Sequence, residues 1–318
     1  MTMELASTTV VRKPWGKTDL RPWSELGHDG VAVGELWFQR ADRQAPEPEL
    51  LLKLLFTDEP LSIQVHPDDT FAQSIGLPHG KTEAWYVLSA SSEAQVALGL
   101  KRVLTASQLR AVVADGTISE LVHWQGVEAG EAILVPAGTI HAIGAGLVIA
   151  EIQQRSDATF RLFDYGRQRE LHLDGGVGAS KPGPAIPRMS PSRLSEAREV
   201  MAVSRYFVLE RIDLAPNSHW AIDAISETWM LIVEGDVTLD LTRVASGEAM
   251  FLDEQRATVR TGDHGAKGLM AYVASSPVAG LLQSRNGIPM EVMAERFPDL
   301  GLARSSKGSP KLPWRGQS

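Results

Sequence analysis

The residues of this chain whose types and spacing could do chemistry fall in four short segments. In the first, Leu61-Ser62-Ile63-Gln64-Val65-His66-Pro67, strand alternation puts Gln64 and His66 on one face and Ile63 and Val65 on the other. A polar pair on one face of an otherwise apolar strand is either a solvent-facing edge or two ligands directed inward. In the second, Lys81, Glu83 and Trp85 share a face by the same alternation. A lysine two residues from a glutamate is ordinarily a solvated pair of little energetic consequence. A tryptophan on the same face implies partial burial, however, and a buried carboxylate needs a cation.

The third segment runs from Gly130 to His141. A glycine turn enters the apolar run Ala132 to Val135, Pro136 and Gly138 force a bend, and His141 opens the return strand. The spacing G-x5-P-x-G-x2-H matches the second sequence motif of cupins, in which the histidine faces the lumen of a β-barrel. The chain has no cysteine, so any metal must sit on His, Asp, Glu or Gln. Two neutral imidazoles, a carboxylate and an amide oxygen, as Gln64, His66, Glu83 and His141 would supply, suit Zn²⁺, with Mn²⁺, Fe²⁺ or Co²⁺ as substitutes. Such a site leaves room for a substrate oxygen and can act as a Lewis acid. The fourth segment, Glu151 to Tyr165, is either a charged surface loop or a cationic rim for an anionic substrate. In the latter case Arg161 is preferred, because guanidinium grips phosphate bidentately. His28, His79, His123, His172, His219 and His264 fall in expected loops or helix ends and are not assigned chemistry.

Positioning these residues requires an all-β scaffold. Short apolar runs at Leu50–Phe56, Ala84–Leu88, Ala94–Leu98, Ala132–Val135 and Leu147–Ile152 read as strands, and the texture returns at Tyr206–Leu214, Thr228–Val233 and Leu269–Val273. Capping-box spacings at Thr105/Gln108 and Thr117/Glu120 predict two short helices between Thr105 and Trp124. A helix is expected after Pro191, through Leu194 to Met201, and another over Thr70–Ile75 capped by Asp68 or Asp69. Thr82-Glu83-Ala84-Trp85 resembles Ser226-Glu227-Thr228-Trp229, and Gly130-Glu131-Ala132 resembles Gly247-Glu248-Ala249. Glu83 to Gly130 spans 47 residues and Glu227 to Gly247 spans 20, so the first copy carries an insertion the size of the expected helical segment. These features predict two cupin (double-stranded β-helix, jelly-roll) barrels. Residues 1–180 form a catalytic unit with a helical insert at about 104–125. Residues 181–204 form a linker, Gly/Pro/Ser-rich over 175–191, ending in a short helix. Residues 205–303 form a degenerate second unit, and 304–318, including Trp314, a mobile tail.

The chain has 318 residues, 43% of them hydrophobic, enough for a substantial core. A net charge of −8 argues against a nucleic-acid partner without excluding a small phosphorylated ligand. No apolar run approaches the length of a membrane span, and no signal-peptide pattern opens the chain, so a cytoplasmic protein is expected.

Taken in order, these segments resemble the short bacterial form of type I mannose-6-phosphate isomerase. Pro14-Trp15-Gly16 and Gly34-Glu35-Leu36-Trp37 resemble that family's N-terminal signatures; Leu61–Asp69, Gly80–Tyr86, Val135–His141 and Glu151–Tyr165 resemble its core motifs. Lys17 stands where the family often has a second glycine. The resemblance implies Gln64, His66, Glu83 and His141 as ligands of one zinc per chain, Arg161 as the catalytic arginine, Lys81 lining the site and Glu151 nearby. It further implies interconversion of mannose 6-phosphate and fructose 6-phosphate through a cis-enediol, with Lys81, Glu151 or a metal-bound water as the carbon base. A lysine base would need a lowered pKa. The second unit keeps none of the ligands: Thr258 falls where a histidine would, and no Gln-x-His precedes Glu227. The competing readings are a non-catalytic sugar-binding bicupin and a metal-dependent oxygenase; oxygenases usually show His-x-His where this chain has Gln64-Val65-His66.

Overall fold

The computed structural model describes residues 2–26, 29–186 and 188–285. The expectations for 286–303, for the tail 304–318 with Trp314, and for His28 lie outside the described residues. The fold is mostly β, with three antiparallel sheets and four short helices among the described residues. A six-stranded sheet runs in the order Ser7–Lys17, Val33–Gln39, Leu50–Thr57, Leu147–Gln154, Glu83–Ala90, Ala132–Val135. A five-stranded sheet runs Phe160–Phe163, Ile63–Val65, His141–Ile143, Gln95–Leu100, Val122–Gly126. A ten-stranded sheet holds Thr2–Leu5 and every strand from Ser192 onward.

The strand Leu50–Thr57 shows how these layers arise from sequence. Leu50, Leu52, Leu54 and Phe56 point to one side and share a core with Trp229, Phe251 and Leu269 of the ten-stranded sheet. Leu55 points to the other side, into a core with Trp85, Ile149 and Leu98 that lies between the six- and five-stranded sheets. Each fully buried leucine contributes about 1.5–3 kcal/mol, so a strand apolar on both faces is driven into the middle of the stack. The five-stranded sheet is also covered on both faces. Ile63, Val65 and Ala142 turn away from the inner core and pack with Leu109, Val113 and Ile118 of the helical segment.

The expected helices at 106–114 and 118–121 are present, followed by the strand Val122–Gly126 rather than more helix. Thr105 and Gln108 close a full capping box. At Thr117 no box forms, because Asp115 accepts the Thr117 N–H (2.9 Å) and hydroxyl (2.6 Å) instead. Asp68 caps the helix Asp69–Ser74 through the Phe71 N–H at 3.0 Å. Two expectations for 175–201 are corrected. There is no helix between Leu194 and Met201; Ser192–Arg193 and Arg198–Val203 are strands. Arg198 is buried there against Glu210 on the neighbouring strand, at 2.7 and 2.8 Å, and tertiary pairing overrides the helix propensity of Glu196–Glu199. Conversely, part of the expected loop is the helix Leu173–Ala179, whose glycines let it lie directly against Phe160, Leu162 and Phe71.

The sequence repeat is not matched by equivalent facing. Ile133 and Met250 both point into the interior of their own sheets. Trp85 also points inward, but its counterpart Trp229 points into the seam between the six- and ten-stranded sheets, and Met230 takes the inward position. The pairing explains this: Trp85 lies opposite Ile133, whereas Trp229 lies opposite Phe251, one residue out of step. A one-residue slip turns every side chain of a strand to the other face. Glu227 is thereby carried to the seam, where its carboxylate accepts the N–H groups of Glu49 (2.5 Å) and Leu50 (2.9 Å) and the Trp229 indole N–H (2.9 Å). Burial pushes its pKa from the ordinary 4.5 up to about 7. The folded state therefore binds this proton more tightly than the unfolded one, and stability contributed by Glu227 falls as pH rises across that interval. Urea unfolding of the wild type relative to Glu227→Gln is expected to lose up to about 3 kcal/mol between pH 4.5 and pH 7. Parallel pH profiles for the two proteins would refute this.

Candidate metal centre

His141, Gln64 and Arg161 lie side by side on three adjacent strands of the five-stranded sheet: His141 pairs with Gln64, and Gln64 pairs with Arg161. Residues in one row of a sheet share a face, here the face turned toward the six-stranded sheet. His66 follows the same strand, and its carbonyl accepts the Gly138 N–H at 2.8 Å. Gly138 has φ 88°, the left-handed region that favours glycine, so the Pro-x-Gly bend both aims His141 and holds His66.

Glu83 approaches from the opposing six-stranded sheet. It is 1% exposed in its side chain, with Oε2 3.4 Å from His66 Nε2 and Oε1 3.3 Å from His141 Nε2. The segment before it is pressed against the His66 segment: the Lys81 N–H donates to the Pro67 carbonyl at 2.9 Å, and a Cβ on Gly80 would lie 2.6 Å from that same oxygen. Only glycine fits so close an approach. Lys81 Nζ then sits 2.8 Å from Glu83 Oε2 and 3.1 Å from His66 Nε2.

A line of buried charges continues along the six-stranded sheet. Glu151, Lys53 and Glu35 lie on successive strands facing the same interior. Lys53, 3% exposed in its side chain, is 3.5 Å from Glu151 and 3.6 Å from Glu35, with its ammonium 4.4 Å from the Trp37 ring centre. An unpaired charge there would cost several kcal/mol, and these partners offset it. Glu151 also accepts the Trp85 indole N–H at 3.2 Å and lies 3.9 Å from Lys81. Burial raises the Glu151 pKa, and Glu83 adds to the effect against the opposing lysines. For Glu35 the burial penalty is outweighed by Lys53 and Lys13, and its pKa is lowered. Burial alone would lower the Lys81 pKa, but the facing Glu83 and Glu151 carboxylates raise it. The lowered pKa that a lysine base would need is therefore not what these partners produce.

Glu35, Lys53, Lys81 and Glu151 line a cavity of about 240 Å³ together with Gln64, Lys13, Arg161 and Arg169. Arg169 is held by Asp164 at 2.6 Å on both nitrogens. The Arg161 guanidinium donates to the Glu170 carbonyl at 2.7 Å, and its Nε has no partner among the described residues. His172 accepts the Arg161 backbone N–H at 3.0 Å, so one histidine left unassigned in the sequence supports the site. His79, His123 and His264 are exposed, and His219 lies in the ten-stranded sheet. Lys53, Lys13 and Arg169 are the lining cations that motif spacing did not single out. A lone lysine inside Leu50–Phe56 was the available signal for Lys53.

The donor set suits a divalent ion. The ligand atoms of His66, Glu83 and His141 all lie within 4.8 Å of one another. His66 Nδ1 faces the Ala158 carbonyl at 2.8 Å and His141 Nδ1 the Thr139 carbonyl at 2.9 Å. Each ring therefore carries its hydrogen on Nδ1 and turns an Nε2 lone pair toward Glu83. The Lys81 ammonium offsets part of the negative charge of this cluster, while the His141 lone pair and Glu83 Oε1 face each other at 3.3 Å with no donor between them, the place a divalent ion would fill. Burial, with the Lys81 charge, pushes the His66 pKa down to about 3, and burial lowers that of His141, so both rings are neutral as ligands must be. Gln64 places its amide 3.4 Å from His141 Nε2, with the Ser62 hydroxyl 3.1 Å from the other amide atom. The two amide atoms are assigned by hydrogen bonding, and turned over, the oxygen faces the same point.

Mostly-β layers converging two imidazoles and a carboxylate on one buried point define a β-sandwich protein with an internal candidate metal centre. The chain is similar in sequence, over about half of its length, to bacterial mannose-6-phosphate isomerases. It is 40% identical over 173 residues to the mannose-6-phosphate isomerase of Streptococcus mutans, covering 50% of this chain and 54% of that protein. Against ManA of Bacillus subtilis, also a mannose-6-phosphate isomerase, it is 35% identical over 171 residues, again 50% and 54% of the two chains. The chain thus spans about half the length of these curated relatives. Its fold superposes on a crystal structure of the mannose 6-phosphate isomerase from Bacillus subtilis with a TM-score of 0.70 at 24% identity, over 85% of this chain and 99% of the other. No family profile matches the sequence. No helix among the described residues is long and apolar enough to cross a membrane.

Proposed function

We propose that this protein interconverts mannose 6-phosphate and fructose 6-phosphate. In this reading the two β-units are cupin barrels, the first carries the site, and one Zn²⁺ per chain is held by Gln64, His66, Glu83 and His141. The reaction would take place in the cytoplasm. The observation that carries the reading is the buried cluster of His66, Glu83 and His141 set beside a cavity lined by Gln64, Lys81, Glu151 and Arg161, with Lys81 touching both. The likeness to named isomerases supports it, as does a fold shared with a mannose 6-phosphate isomerase solved in its zinc-bound holo form, at 18% identity and a TM-score of 0.66 over 86% of this chain and 100% of that one.

When bound, zinc supplies Lewis-acid polarisation of the sugar oxygens. The other steps belong to the chain. Arg161, whose guanidinium meets only a carbonyl, stabilises negative charge on the enediol or the phosphate. Glu151 takes the proton from C2 of the aldose and returns it to C1 of the enediol, a role suited to a buried carboxylate of raised pKa held in place by the Trp85 N–H. Lys81, kept charged by Glu83 and Glu151, serves as a hydrogen-bond donor to the sugar oxygens that exchange protons. Formation of fructose 6-phosphate from mannose 6-phosphate is expected to disappear on chelation and return with added Zn²⁺. Folded, zinc-loaded protein without turnover would overturn the assignment.

A further inference from the structure

The ten-stranded sheet touches the candidate site through one carboxylate. The turn between the strands Arg198–Val203 and Val208–Leu214 carries Arg205 and Tyr206. The Tyr206 hydroxyl donates to Asp69 Oδ2 at 2.5 Å, and Arg205 Nη2 donates to the same oxygen at 2.9 Å. The other oxygen, Oδ1, accepts the Gly80 N–H at 2.9 Å and the Gln154 side-chain amide at 3.0 Å. Gln154 is itself clamped to Thr82: its Oε1 accepts the Thr82 N–H at 2.9 Å, and its own N–H donates to the Thr82 carbonyl at 3.1 Å. Gly80 and Thr82 are the two neighbours of Lys81, and Thr82 precedes Glu83. The backbone on both sides of Lys81 is therefore tied to Asp69, directly or through Gln154. Both Asp69 oxygens are used, one toward the site and one toward the second unit.

We infer that Asp69 is a positioning residue, and that the second unit, through Tyr206, holds the Gly80–Glu83 segment where Lys81 and Glu83 meet His66. The consequence for catalysis rests on the isomerase reading above; the positional claim does not. A carboxylate can accept from all four donors at once, whereas an amide offers one acceptor oxygen and turns its own N–H groups on the rest. Phosphate recognition is expected to be spared, because Arg161 and Arg169 lie on a different segment.

The test uses full-length, zinc-loaded protein with Tyr206→Phe and Asp69→Asn. In Tyr206→Phe, kcat is expected to fall about 10-fold, and in Asp69→Asn about 100-fold, the size of effect that a small misplacement of reacting groups produces. Inhibition by inorganic phosphate should stay within about twofold of wild type, because Arg161 and Arg169 do not move with Lys81, whereas zinc affinity is expected to weaken, because the ligand Glu83 lies on the displaced segment. Hydrogen exchange at the Gly80 and Thr82 amides should rise at least about 10-fold while exchange in Leu50–Thr57 is unchanged. Unchanged exchange at Gly80 and Thr82 overturns the inference. So does exchange that rises uniformly across the chain, which marks a merely structural role. If wild-type protein shows no turnover, the isomerase reading fails, and the exchange measurement still decides the positional claim.

Discussion

Replacing His141 with alanine is expected to lower kcat by at least about 10³-fold and to leave the purified protein with less than about a tenth of an equivalent of zinc. Three features of the structure set the size of this effect. His141 Nε2 is directed at Glu83 Oε1 by the bond between its Nδ1 and the Thr139 carbonyl, and alanine supplies no lone pair in its place. Its ring packs edge-on against Trp85 and 4.8 Å from the His66 ring, so its removal also opens a void beside the remaining donors. Its loss also strips one of the two imidazoles from Glu83, so the remaining donors make an incomplete site. Metal analysis and steady-state turnover on the same preparation check both halves of the expectation. A variant that keeps a full equivalent of zinc would place the metal elsewhere. Comparing metal-free wild type with metal-free variant by thermal melting separates ligand loss from unfolding.

Glu151→Gln is expected to lower kcat by about 10²–10⁴-fold with little change in KM, the range for removing a group that moves a proton at carbon. The amide keeps an oxygen for the Trp85 N–H and nearly the same volume, so the cavity wall should persist. Zinc content is expected to remain that of wild type, because Glu151 is not among the converging ligand atoms. Exchange of the C2 hydrogen with deuterated solvent should be lost along with turnover. If exchange at C2 continues at the wild-type rate, another group is the base and Glu151 acts only through Lys81 and Lys53.

Much of the site was legible because its spacing is dictated by strand geometry. Alternation alone put Gln64 and His66 on one face and Ile63 and Val65 on the other, which is how they lie between the inner core and the helical segment. The Pro136–Gly138 bend signalled the approach of His141. What spacing could not reach were residues brought in by pairing between distant strands. Lys53 enters the cavity because Leu50–Thr57 pairs with Leu147–Gln154, which sets it opposite Glu151. Nothing local in an apolar strand announces that. The helix expected near Met201 failed for the same reason, since the Arg198–Glu210 pair belongs to two strands. Glu227 was read as a copy of Glu83, and its orientation depended on a register that no local motif encodes.

That register also bears on design. A protein engineer wishing to install a second ion in the C-terminal half would be misled by aligning the two halves, because substitutions around Glu227 and Trp229 decorate a glued joint rather than a chamber. The positions that look inward there are Met230 and Ile232 on one strand and Met250 and Leu252 on its neighbour, all now filled with oily side chains. Ligands would have to be written at those addresses, and the packing they displace would have to be made good elsewhere.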